Sequence, residues 1–109
     1  MQIGDIYYIS FPFDPPAQGG KFRPALILGF RDNKALAVAV KITKSSPNQN
    51  FPHRVPITYW QNAGLKYMSY AQINNPTSLS MTSKPVYVGT MHPVDLNKVL
   101  TAFSKFHSK

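Results

Sequence analysis

Arg23 is the side chain in this sequence best equipped to hold a phosphate. It stands between Gly19-Gly20-Lys21-Phe22 and Pro24, so a pliable segment leads into it and the fixed φ of a proline holds it from behind. A guanidinium grips two anionic oxygens at once and keeps its charge at any working pH. A solvated arginine at the start of a strand would have the same local sequence. Thr43 is the second candidate, because its hydroxyl comes where an apolar run gives way to Lys44-Ser45-Ser46. A hydroxyl at such an edge suits a phosphate oxygen, and an ordinary β-branched strand end is the plain alternative.

Other chemistries lack their parts. A magnesium-dependent nuclease needs clustered carboxylates, and the chain has four scattered ones, Asp5, Asp14, Asp32 and Asp95, with no glutamate. His53, His92 and His107 share no metal-ligand spacing. The absence of cysteine removes a thiolate nucleophile, a sulfur-based zinc site and a disulfide framework. Gly19-Gly20-Lys21 lacks the spacing and the Ser/Thr of a phosphate-cradling P-loop. No metal and no cofactor are expected.

Twelve Lys and Arg against four Asp give a formal charge of +8, which points to a polyanionic partner: nucleic acid, an anionic membrane or an acidic protein. Solubility alone is the plain explanation for such a charge. If the partner is a nucleic acid and the chain also cuts it, the nucleophile closest to hand is the substrate's own 2′-hydroxyl, which restricts the reaction to RNA. That cleavage needs donors on the phosphate and groups that take and give protons. Tyr7, Tyr8, Trp60, Tyr67 and Tyr70 are able to stack unpaired bases at about 1–3 kcal/mol each, although most read as core or dimer contacts.

The elements that must position these groups read as β-structure followed by a helix. The 109 residues fit one domain, 1–109. Strands are expected over Asp5–Phe13, Ala25–Phe30, Ala35–Ile42, His53–Tyr59, Tyr67–Ile73 and Lys84–Met91, from their Ile, Val, Tyr and Phe content and the turn residues between them. The third is apolar enough for burial on both faces, and Arg31-Asp32-Asn33-Lys34 reads as a hairpin turn. Asp14–Phe22 and Thr43–Pro52 are loops, and Asn74-Asn75-Pro76 reads as a break. Leu96, Val99, Leu100, Phe103 and Phe106 fall at helical spacing, with Pro93 in the first turn and Asp95 beside the N-terminal dipole. The expected fold is mainly β, a small barrel of about six strands with a C-terminal α-helix. No signal peptide and no membrane span are visible, so the expected location is cytoplasmic, with no membrane partner.

Gly4-Asp5-Ile6, Phe11-Pro12-Phe13 and the run from Gly20 through Arg23-Pro24-Ala25-Leu26-Ile27-Leu28 closely resemble the opening of the PemK/MazF-like toxins of type II toxin–antitoxin systems. The likeness continues through Ile42-Thr43-Lys44-Ser45, Arg54-Val55-Pro56-Ile57, Gly64-Leu65-Lys66, the Ser69 to Leu79 segment and Val88-Gly89-Thr90, which is nearly the whole chain. It implies an SH3-like barrel, a homodimer, and a sequence-specific endoribonuclease that cuts single-stranded RNA to a 2′,3′-cyclic phosphate and a 5′-hydroxyl. It also implies an acidic antitoxin that blocks the groove.

Carried over to this chain, the resemblance makes Arg23 the arginine that binds and protonates at the scissile phosphate, and Thr43 the threonine whose hydroxyl touches it. Lys21, Lys44, Ser45, His53, Gln72 and Asn74 complete the expected RNA site. Two departures matter. Some members have an arginine and an aspartate two residues apart where this chain has Gln72-Ile73-Asn74, and a first-loop glutamate of others is replaced by Gln18. The general base is thereby unassigned: His53 is one candidate, and Arg23 with bound water is the other, leaving Gln72 or Asn74 to read bases through hydrogen bonds. A catalytically degenerate barrel is the alternative, acting as a non-cleaving binder in the manner of the gyrase-poisoning toxin with this barrel, or as a nucleic-acid- or peptide-binding module.

Overall fold

The computed structural model describes residues 1–10, 22–33, 35–80 and 85–108. Six strands precede one helix: β1 (Asp5–Ser10), β2 (Phe22–Arg31), β3 (Leu36–Thr43), β4 (Arg54–Ile57), β5 (Ser69–Ser80), β6 (Val86–Thr90) and α1 (Pro93–His107). All neighbours pair antiparallel in one sheet of order β4-β5-β3-β2-β1-β6. The mainly β fold with a C-terminal helix is therefore as the sequence predicts. Of the first expected strand, Asp5–Ser10 is seen, while Phe11–Phe13, the Asp14 to Lys21 loop and the Lys84 start of the last strand lie outside the described residues.

Alternation divides the sheet into two faces. On the concave face Ile6, Leu26, Leu28, Val40, Ile42, Ile57, Ala71 and Ile73 form the main core, joined by Met91 and by Val99 of the helix. Leu96, Leu100, Phe103 and Phe106 close over it, the stripe expected from their spacing. On the convex face Ile9, Ala25, Ile27, Ala37 and Ala39 make a second cluster with Tyr7, Phe30 and Leu79. β3 thus contributes to both clusters and is the doubly buried strand its composition suggests.

The β2–β3 hairpin turns at Asp32 and Asn33, which carry φ of 50° and 54°. Asp and Asn tolerate that left-handed backbone better than other side-chain-bearing residues. β5 differs from expectation. The Asn74-Asn75-Pro76 sequence is a bulge within a single strand, because Lys41 pairs with Gln72 while Ala39 pairs with Thr77. Asn75 takes φ 56° there, and Pro76 costs no ladder hydrogen bond at a bulge. The excursion is tied to the segment before β4 by the Ile73 N–H, which donates to the His53 carbonyl at 3.0 Å.

The two sheet edges are brought together by the turn after β4. A Cβ on Gly89 of β6 would overlap the Ala63 carbonyl, so only glycine lets β6 lie against this turn. Asp95 anchors the turn from the other side. It is fully buried, and its carboxylate accepts the backbone N–H of Thr58 at 3.0 Å and of Tyr59 at 2.8 Å. Its role is thus tertiary, whereas the start of α1 is capped by His92, whose Nδ1 accepts the Val94 N–H at 3.1 Å.

Candidate nucleic-acid interface

The site is built from cross-strand rows. β2 and β3 pair Ala25 with Lys41, and extending that register by one pair on the same face brings Arg23 across from Thr43. Thr43 pairs in turn with Tyr70, and Tyr70 with Pro56. The adjacent row reads Ala25, Lys41, Gln72, Arg54. Both rows continue the convex face that carries Ala25 and Ile27, opposite the helix. With strands about 4.8 Å apart, neighbours in a row are within reach of one ligand.

Arg23 and Thr43 are half-buried. The Thr43 hydroxyl oxygen accepts the Ser45 N–H at 3.2 Å, which fixes its position and leaves the hydroxyl proton to be donated. Lys44 and Ser45 are exposed, and the Lys44 ammonium stands 5.2 Å from the centre of the Tyr67 ring. The loop beyond is ordered by Asn48, whose side-chain oxygen accepts the N–H groups of Asn50 and Phe51, both at 2.9 Å.

The remaining expected residues divide. Gln72 is in the second row but buried, and its side-chain oxygen accepts the Arg54 Nε–H at 3.1 Å. Asn74 is half-buried in the β5 bulge, two residues beyond Gln72 along the chain. His53 is not with Arg23 and Thr43: its ring packs on Phe106 of α1, centroids 4.3 Å apart, on the helix side of the sheet. It precedes Val55 and Ile57 at every second position, and those two point into the main core. Lys21 lies outside the described residues.

Two cations on this face were not among the residues expected from the sequence. Lys41 sits opposite Gln72 on β3, and Arg54 sits opposite it on β4. The signal was available: Val40 and Ile42 turn inward, as do Val55 and Ile57, so Lys41 and Arg54 must turn outward. Arg54 also donates from Nη1 to the Ser46 carbonyl at 3.4 Å and lies over the Phe51 ring at 4.3 Å. Burial lowers its pKa from the ordinary value, which still leaves it a cation at working pH.

The aromatics able to stack on bases, most of them expected as core or dimer contacts, are spread widely. Trp60 packs on the main core and Tyr7 on the second cluster, edge-on to Tyr87 at 5.4 Å. Tyr67 is exposed beside Lys44, and Tyr70 is half-buried in the Arg23–Thr43 row.

A family model described as PemK-like, MazF-like toxin of type II toxin–antitoxin system matches residues 2–107. No curated protein matches the sequence at a significant level. Among solved structures, MazF from Deinococcus radiodurans superposes with a TM-score of 0.72 at 17% identity, covering 100% of this chain and 97% of that one. A MazE–MazF structure from the same organism gives 0.73 at 19% identity, covering 99% and 96%. An endoribonuclease in complex with its cognate antitoxin from a mycobacterial species gives 0.72 at 22% identity, covering 96% and 92%. At these identities the superpositions establish a shared fold.

Proposed function

The chain belongs to the PemK-like, MazF-like toxins of type II toxin–antitoxin systems, and on that footing we propose that it is an endoribonuclease cutting single-stranded RNA at a short sequence without a metal ion. The observation that supports the reading is the β2–β3 pairing of Ala25 with Lys41, which, extended by one pair on the same face, puts Arg23 across from Thr43, a guanidinium and a hydroxyl able to hold the same phosphate. Attack by the 2′-oxygen forms a new bond to phosphorus and breaks the bond to the 5′-oxygen. The 2′-hydroxyl proton passes to water, and the departing 5′-oxygen gains one, giving a 2′,3′-cyclic phosphate and a 5′-hydroxyl. Arg23 and the Thr43 hydroxyl act on the charge that develops on the phosphate oxygens. With the His53 ring on the far side of the sheet, water is the base this reading assigns.

A cytoplasmic homodimer with an acidic antitoxin over the groove belongs to the same reading. It is supported by the formal charge of +8 and by structural neighbours that are antitoxin complexes. The test is incubation of the purified chain with single-stranded RNA and a chelator, followed by sequencing of the 5′-hydroxyl ends. Cuts at one short motif are expected, and Arg23→Ala abolishes them; intact RNA refutes the enzyme. A non-cleaving binder is the second reading. It is favoured by the amides of Gln72 and Asn74 and by the orientation of His53, and growth arrest with intact RNA would select it.

A further inference from the structure

We propose that Arg54 is a fixed cation of the RNA-binding face that grips an intact phosphate further along the strand than the one being cut, with Gln72 as its positioning residue; this rests on the ribonuclease reading. Arg54 shares the convex face with Arg23, Lys41 and Thr43 by register. Its guanidinium is held on three sides: Nε–H to Gln72 Oε1 at 3.1 Å, Nη1 to the Ser46 carbonyl at 3.4 Å, and the Phe51 ring at 4.3 Å. A guanidinium has five N–H donors, so three are left to meet a ligand among the described residues. Holding a long side chain before the ligand arrives removes part of the entropy cost of binding.

The same contacts explain why Gln72 does not meet the RNA itself. It is 7% exposed and its oxygen already serves Arg54. What the row presents outward is a positive charge at a fixed height above the sheet. A phosphate requires that, whereas reading a base also requires a matched pattern of donors and acceptors. In the order β4-β5-β3-β2, three inter-strand steps of about 4.8 Å, or about 14 Å, separate Arg54 from Arg23 across the strands, and the two also differ by one row along them. A strand of RNA running across the strands, obliquely from one row to the next, therefore passes Arg54 after leaving Arg23 and Thr43, with Lys41 between them.

The test uses the full chain and single-stranded 2′-O-methyl oligonucleotides of two unrelated sequences, which lack the attacking hydroxyl. Affinity is measured from low to physiological salt for the parent, Arg54→Gln, Arg54→Lys and, as a charge-loss control on the last turn of α1, Lys105→Gln. For Arg54→Gln the slope of log affinity against log salt is expected to become shallower by about 0.7, the value for one phosphate contact on a single strand, with equal losses for both sequences. Lys105→Gln leaves the slope unchanged, and Arg54→Lys keeps the slope while binding several-fold more weakly, because the held geometry is gone.

An unchanged slope in Arg54→Gln, an equal change in Lys105→Gln, or a loss confined to one sequence overturns the proposal. Should Arg54→Gln fail to fold, parent-like affinity in Arg54→Lys overturns the fixed geometry, and weaker binding at the parent slope supports it. A parent chain that neither binds the oligonucleotides nor cuts RNA refutes the ribonuclease reading as well; a parent that cuts RNA, beside an Arg54→Gln of unchanged slope, refutes this inference alone.

Discussion

Replacing Asp95 by alanine removes a carboxylate that holds the turn after β4 onto the helix. The side chain is fully buried and accepts two backbone N–H groups, from Thr58 at 3.0 Å and Tyr59 at 2.8 Å. Hydrogen bonds to a charged group contribute about 1.5–3 kcal/mol each, and donors left unsatisfied in a buried place cost more than a lost bond. Because the two share one acceptor group, the expected total is about 3–5 kcal/mol. The Lys98 ammonium at 3.4 Å adds little, since that side chain is 39% exposed and water screens the pair. At this chain length each kcal/mol moves the melting temperature by about 4 °C, so Asp95→Ala should melt about 12–20 °C below the parent. Asp95→Asn keeps one acceptor and sets an NH2 against the other N–H, and should lie between. Calorimetry with urea titration checks both values, the urea slope staying constant if only stability has changed. A loss below about 1 kcal/mol for Asp95→Ala would mean that the turn is held by something other than this carboxylate.

Thr43→Val keeps the shape of the residue and removes the hydroxyl, and single-turnover cleavage of RNA should slow about 10²-fold with little change in melting temperature, as for loss of one fixed donor to a developing charge. Gly89→Ala forces β6 away from the Ala63 carbonyl and should destabilise by about 1–3 kcal/mol or more, read from chemical denaturation. Burial first, and then the nearby Asp5 carboxylate, raise the Tyr7 pKa above its ordinary value. The folded chain therefore holds that proton longer than the unfolded chain does. The stability this contributes is present below pH 10 and is lost as pH climbs through the raised value, so unfolding measured between pH 9 and 11 should be less steep in pH for Tyr7→Phe than for the parent.

Most of the architecture is written in local patterns. Strands alternate, Asp32-Asn33 turns the hairpin, and the Leu96 to Phe106 stripe has the helical period. What was not legible depends on partners distant in sequence. Asn74-Asn75-Pro76 looks the same whether it ends a strand or bulges inside one, and the choice is made by Ala39 and Lys41 on β3. Asp95 reads as a first-turn acid, and its acceptor role depends on Thr58 and Tyr59, 37 and 36 residues away. Within the site, Arg23 and Thr43 stand out by residue type and setting. Arg54 was missed because its meaning comes from Gln72, 18 residues on and across a strand gap. His53, by contrast, has the right chemistry for a base and the wrong side of the sheet, which residue type alone does not reveal.

Pro56 stands at the middle of β4, which is only four residues long and forms one border of the sheet. A proline offers no N–H to an incoming strand, and short proline-bearing borders resist strand addition. The opposite border, β6, is covered around Gly89 by the turn containing Ala63. Around Pro56 and Gly89, then, the two borders offer an incoming β-strand a poor template. The consequence is that edge-to-edge pairing between copies of this chain is disfavoured at those two points of the sheet.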